Sequence, residues 1–449
     1  MKRMVVLAGW TVPFAVAVLL TTTPAQAWEA ETTHAGLTER AALASTLHKV
    51  LGGRHGKALG LYELLTVPDA SAPTLHRKLR LLPPTAGVTP DAGAKQTALG
   101  WLLAGSVLAD VPAELGRHHF FDPVHGRGLA EKAAPEWIAD DENDLGLPRF
   151  LVELEASATT TTRGERDRHL AFALLCAGAM AHVLEDMGSP SRVRDDLEAH
   201  LEPMGAGLRD HGSRYERLAV LMAGRLGLPD AEPPVWKPHL RDFFTSRDKT
   251  GLADVTARDF FSPGTLPNRV RVGKLSSADV LAQANQGLRF SSPSLPSIDL
   301  TAAVSPEGAL VKNDEGVCLA GYRLERGQLG FSIPDACAAE QLAVQLPRIS
   351  AYAAGLFDWL FRGELAVNRA GSVTTLHAVG KGNLDLLSED RQGTRRLLQR
   401  ASVNGGQAGA TLARFEPPTA GTKKIIAVFR GEDDAGEPLV SVGEFGWEP

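Results

Sequence analysis

Between Leu170 and Ala181 the chain runs through Leu-Ala-Phe-Ala-Leu-Leu-Cys-Ala-Gly-Ala-Met-Ala with no polar side chain, inside a longer helical repeat from Arg166 to Met187. A helix this apolar belongs inside a bundle of other helices, and its Cys176 reads as a buried thiol. Further runs with apolar residues at i, i+3 and i+4 follow that expectation: Leu37 to Leu51, Lys95 to Ala109, Arg214 to Leu226 and Leu342 to Phe361. Pro-rich connections at 83–90, 229–238 and 291–296 separate them. After Arg362-Gly363 the pattern changes to short β-prone runs, Ser372 to Val379, Lys424 to Phe429 and Pro438 to Val442, set between Gly, Asn and Asp turns. The expected fold is therefore mainly α, a multi-helix bundle over residues 28–364, with a small β-rich C-terminal domain over 365–449. No internal repeat is present. Thr159 to Thr162 reads as a loop, and Gly431 to Gly436 as an acidic turn.

The first 27 residues read as a signal peptide. Lys2 and Arg3 precede an apolar run from Val5 to Leu20, and Ala25-Gln26-Ala27 is a small-residue cleavage site. Removing the leader takes away two basic residues and no acids, so the formal net charge of −6 becomes −8. A mildly acidic chain is not built for duplex nucleic acid as its main partner, because phosphate binding draws on clustered Lys and Arg. No second apolar run is expected to span a membrane, and no Cys follows the leader to carry a lipid anchor. The expectation is a secreted or periplasmic protein. In such an oxidising compartment Cys318 and Cys337 are a candidate disulfide.

Cleavage would leave a free amine on Trp28, and a neutral α-amine can chelate a metal together with its own carbonyl. His34 follows six positions later in Trp-Glu-Ala-Glu-Thr-Thr-His. In Ala-Met-Ala-His-Val-Leu-Glu-Asp, His182 and Asp186 stand i and i+4 and share a helix face. By themselves they fit a solvated pair at a helix end equally well. Asp110 closes another helical run and is followed by His119-Phe-Phe-Asp-Pro123. A single His-Phe is more often packing than ligation.

Taken in order along residues 28–225, these segments resemble the zinc-dependent phospholipase C family and the related single-strand nucleases. The resemblance implies that Asp110, His119, His182 and Asp186 hold one zinc ion, a mixed nitrogen and oxygen set that zinc accepts. It implies that Trp28, His34 and a bridging Asp186 hold a second. His118 is the alternative to His119. For a third ion the pattern calls for a His two positions after Pro190, and this chain has Arg192. His211 and Glu216 remain as candidate ligands there, with His200 as a substitute, so two or three ions are expected. A guanidinium does not ligate zinc. Arg192 either binds a substrate phosphate oxygen or pairs with Asp195 or Asp196.

The implied activity is phosphodiester hydrolysis by metal-activated water, with Asp110 as a further candidate to accept the water's proton. The expected enzyme is a phospholipase C acting on head groups at a phospholipid or membrane surface. The alternatives are a single-strand nuclease of the same fold and a catalytically degenerate exported zinc-binding protein.

Overall fold

The computed structural model describes residues 33–67, 94–200, 213–226, 230–267, 270–271, 288–292, 295–300, 308–325, 328–416 and 421–447. The leader, Trp28 and His211 lie outside them. The helices are α1 (Ala35–Ala44), α2 (Leu47–Arg54), α3 (Ala98–Leu108), α4 (Ala134–Trp137), α5 (Leu147–Thr159), α6 (Arg163–Glu185), α7 (Leu197–His200), α8 (Arg214–Leu226), α9 (Leu240–Phe244), α10 (Leu252–Asp259) and α11 (Asp335–Leu360).

Helix α6 is the axis of the helical part. Thr162 starts it through a capping box, its Oγ1 accepting from Glu165 N at 3.3 Å while Glu165 Oε2 accepts from Thr162 N at 3.3 Å. From Leu170 onward every residue of α6 is buried. By length and hydropathy Arg163–Gly188 is long enough to span a bilayer, against the expectation that no such run follows the leader, but from Leu170 onward the fold buries it. Helix α3 crosses it backbone to backbone. A Cβ on Gly178 would come within 1.9 Å of Leu102 O, and one on Gly105 within 2.0 Å of Leu175 O, so only glycine permits the crossing. That approach holds the end of α3, and with it Asp110, against α6.

Two helical runs are shorter than their apolar spacing predicts. Leu37–Leu51 is interrupted at Ser45–Thr46, where Ser45 Oγ accepts from Leu47 N at 3.2 Å and Thr46 Oγ1 donates to Asp358 at 2.6 Å. Lys95–Ala109 becomes helix only at Ala98, because Thr97 caps it by accepting from Gly100 N at 3.0 Å. Residues 94–97 instead form β2 (Ala94–Thr97), antiparallel to β1 (Leu64–Val67).

The larger correction concerns 270–332, which falls in the stretch expected to be helical. Its described residues contain β3 (Val270–Arg271), β4 (Leu288–Ser292), β5 (Leu295–Leu300), β6 (Ala309–Lys312), β7 (Cys318–Glu325) and β8 (Gln328–Ser332). β3, β8, β7 and β6 form one sheet and β4 and β5 a separate pair. Ile298, Leu300, Val311, Leu319 and Leu329 give them a core of their own. A disulfide between Cys318 in β7 and Cys337 in α11, Cα–Cα 5.0 Å, ties this sheet to the last helix.

The C-terminal residues build β9 (Gly363–Asn368), β10 (Ser372–Thr375), β11 (Val379–Asp390), β12 (Arg395–Gly406), β13 (Thr411–Arg414), β14 (Thr422–Asp433) and β15 (Pro438–Gly446). They form one seven-stranded sheet in the order β12-β11-β14-β15-β9-β10-β13. Pairing is antiparallel except between β15 and β9. Both faces of β14 are covered, which explains its unbroken Ile425 to Phe429 run. Ile425, Ala427 and Phe429 face the sheet's own core, while Ile426 and Val428 join the core of the helices. Arg166 on α6 and Arg395 on β12 share Glu389 at 3.3 and 2.8 Å. The loop at Thr159–Thr162 is thereby pinned between helices and sheet, with Arg395 N donating to Thr161 O. The acidic turn joins β14 to β15, and Asp433 Oδ1 accepts from Ala435 N and Glu437 N at 2.9 Å.

Candidate metal centre

Five of the eight expected ligands meet in one buried cluster. His182 and Asp186 stand at the C-terminal end of α6, the second as its cap. Asp110 follows α3, His119 ends the 3-10 turn Ala113–His119, and His34 opens α1. All but Asp110 have no exposed surface, and Asp110 retains only 7%. Two groups of three have their ligand atoms within 4.8 Å of one another: His34, His182 and Asp186, and Asp110, His119 and His182.

The two oxygens of Asp186 face different imidazoles. Oδ1 is 3.3 Å from His34 Nε2, and Oδ2 is 3.0 Å from His119 Nδ1 and 3.5 Å from His182 Nε2. Asp110 divides in the same way, Oδ1 at 3.3 Å from His119 Nδ1 and Oδ2 at 3.3 Å from His182 Nε2. The His34 and His182 rings stack with centroids 3.6 Å apart.

Glu185 was not foreseen. Fully buried, it lies with Oε2 2.7 Å from His34 Nδ1 and accepts at Oε1 from Thr38 Oγ1 at 2.8 Å. A carboxylate only accepts, so Nδ1 donates to Glu185, which leaves Nε2, facing Asp186, as the atom free to bind an ion. The sequence did hold a signal: an acid in the last turn of an apolar helix opposes the helix dipole and asks for a partner.

Burial disfavours charge at each of these groups, and the neighbours decide the outcome. For Asp110 the His182 and His119 rings outweigh burial and hold the carboxyl well below the usual range. For Asp186 burial is outweighed by the Arg192 guanidinium and then His182, again driving the carboxyl well down. Burial lowers His119, only partly offset by Asp186 and Asp110. His182 is buried too, yet Asp110 and Asp186 together push it up to about 10.

These residues fit a metal. Asp110 Oδ2, Asp186 Oδ1, His34 Nε2, His119 Nε2 and both nitrogens of His182 are buried without a hydrogen-bond partner, an expensive arrangement unless a cation serves them. Ligands about 2.0–2.1 Å from a tetrahedral ion stand about 3.4 Å apart, close to the 3.3 Å separations here.

Arg192 approaches the same oxygen of Asp186 as His119 and His182. Its Nη1 is 3.5 Å from Asp186 Oδ2 and donates to Gly116 O at 3.3 Å, and its Nε is 3.9 Å from Glu216 Oε1. The expected alternative pairing with Asp195 or Asp196 is not formed: Asp195 faces Arg127 at 3.5 Å, and Asp196 accepts from Ala199 N and Gly264 N. Glu216, in the first turn of α8, accepts from Ser189 Oγ at 2.8 Å. His118 is not part of the cluster, since its ring stacks on Trp137 at 4.1 Å and contacts Lys132 O at 2.9 Å. Outside the cluster His125 faces Asp122 (2.6 Å), His169 faces Glu153 (2.6 Å) and His239 faces Glu437 (3.0 Å). Among the described residues none of these belongs to a group of three. A cleft of about 290 Å³ reaches His119 past Leu115, Trp137, Met180 and Val183.

No family model and no curated protein matches the sequence. Among solved structures the chain is similar to the alpha-toxin of Clostridium absonum, at 11% identity and TM-score 0.28, covering 94% of this chain and 96% of that one. It is also similar to the Clostridium perfringens alpha-toxin isolated from avian strain SWCP, at 10% identity and TM-score 0.29, covering 94% and 99%. Likeness at this distance carries no functional weight.

Proposed function

We propose that this chain is an exported zinc-dependent phosphodiester hydrolase, acting as a phospholipase C on phospholipid head groups. The observation that carries the reading is the buried cluster of three imidazoles and two carboxylates whose outstanding donor atoms lack hydrogen-bond partners. Asp110, His119, His182 and Asp186 would hold one ion, and the Trp28 amine, His34 and the same Asp186 would hold another. The motif order supports zinc, and the disulfide supports an oxidising compartment.

When bound, zinc brings the pKa of a coordinated water towards neutrality and polarises phosphoryl oxygens. The chain's own contribution is placement. Glu185 fixes the tautomer of His34 and, through Thr38, ties it to the first turns of α1. The Gly105 and Gly178 crossing sets Asp110 against His182. Asp110, held below the ordinary carboxylate range, is a weak proton acceptor and serves first as a ligand. The apolar wall beside His119 suits an acyl-bearing leaving group better than a row of phosphates, and the acidic net charge disfavours a polynucleotide.

The test is hydrolysis by the zinc-loaded chain beginning at Trp28, with phosphatidylcholine vesicles and single-stranded DNA offered separately. Zinc-dependent release of phosphocholine, abolished by chelation, is expected. Preferential cleavage of the DNA would replace the lipid reading with a nuclease, and no hydrolysis of either by a zinc-loaded protein would indicate the degenerate form.

A further inference from the structure

Arg192 ranks with Trp101 and Trp359 among the largest fully buried side chains of the described residues. Its backbone is fixed on both sides, the N–H donating to Ser189 O and the carbonyl accepting from Phe121 N, each at 3.1 Å. The guanidinium lies over the Phe120 ring at 4.6 Å and reaches two buried carboxylates from different elements, Asp186 and Glu216. Two carboxylates sunk this deep require positive charge, and a guanidinium keeps its proton under all ordinary conditions. The Asp186 oxygen nearest Arg192 also faces the imidazoles of His119 and His182, and its other oxygen faces His34, ring nitrogens that can accept an ion.

We propose that the Arg192 guanidinium takes the place of a third metal ion, neutralising Asp186 and Glu216 and limiting the centre to two divalent ions. The proposal rests on the metal reading above. A divalent ion between these two carboxylates would have to share the corner with a fixed cation that cannot swing away. Glu216 then belongs to the protein's internal charge balance and is not a metal ligand.

Zinc is titrated into the metal-free chain beginning at Trp28, followed by calorimetry and by metal analysis after desalting. The native sequence should bind two ions, Arg192→Lys should keep two, and Arg192→Ala should gain a third. Three ions in the native sequence, or only two in a folded Arg192→Ala, overturns the proposal. If circular dichroism shows that Arg192→Ala does not fold, Glu216→Gln decides, since it retains the bond from Ser189. Two ions in that variant support the proposal, and loss of an ion contradicts it. A native chain that binds no zinc overturns the metal reading as well, whereas a count of three overturns only the assignment of Arg192.

Discussion

Asp186 meets two kinds of base, imidazole and guanidinium. Towards α1 and the end of α3 it meets His34, His182 and His119, whose rings carry buried nitrogens without hydrogen-bond partners. It also meets Arg192, a guanidinium that does not coordinate, at the oxygen that faces His119 and His182. One carboxylate thus faces groups that can hold an ion and a group that already supplies positive charge. Similar burial and similar acidity do not make two metal sites; the identity of the base facing the acid decides.

The largest effect on this comparison comes from the residue common to both sides. Asp186→Asn preserves shape but removes the charge that His34, His119, His182 and Arg192 share. Zinc content and phosphodiesterase activity should fall together, activity by more than about 100-fold, since a ligand is worth more than an outer-shell partner. Metal analysis beside a phosphatidylcholine assay measures both, and full zinc in an active variant would remove Asp186 from the site.

A smaller effect isolates the imidazole side. Glu185→Gln keeps an acceptor for Thr38 but loses the charge that orients His34, and zinc affinity should drop about 10- to 100-fold. The Arg192 side should be untouched, so the fold should melt cooperatively as before. Competition with a chelator of known affinity gives the number, and unchanged affinity would make Glu185 a packing residue.

The smallest expected effect, measured over one pH unit, is a dependence that the imidazoles produce. Without metal, His182 is pushed up to about 10 and is protonated at neutral pH. Zinc must displace that proton, so apparent affinity should rise by about tenfold per pH unit between pH 6 and 8. Calorimetry in buffers of different ionisation heat counts the protons released. For the metal-free fold the sign differs by group. The depressed Asp110 and Asp186 contribute stability above the unfolded carboxylate value near about 4 and lose it as pH falls through their lower folded values. The raised His182 contributes fully below its unfolded value near about 6.5 and loses it as pH rises through about 10. Thermal melts in chelator across pH should therefore peak between those limits.

Much of the helical part was legible because α6, α8 and α11 carry sustained apolar spacing, which a buried helix requires. The strands within 270–332 were not, since short runs such as Leu319-Ala320 and Gln328 to Ser332 are too brief to show a period. The helix breaks at Ser45 and Thr97 depend on side-chain caps that do not disturb the apolar pattern around them. In the site, the order of His34, Asp110, His119, His182 and Asp186 named the cluster. Glu185 escaped because its partner lies 151 residues away. The pairing of Arg192 with Asp186 and Glu216, in preference to its near neighbours Asp195 and Asp196, is set by tertiary packing.

Diffraction from crystals of the zinc-loaded chain, recorded at the zinc absorption edge, tests the metal centre most directly. Two anomalous peaks are predicted, one among Asp110, His119, His182 and Asp186 and one beside His34 and Asp186, with none between Arg192 and Glu216. A single peak elsewhere, or no peak within reach of Asp186, would contradict the account.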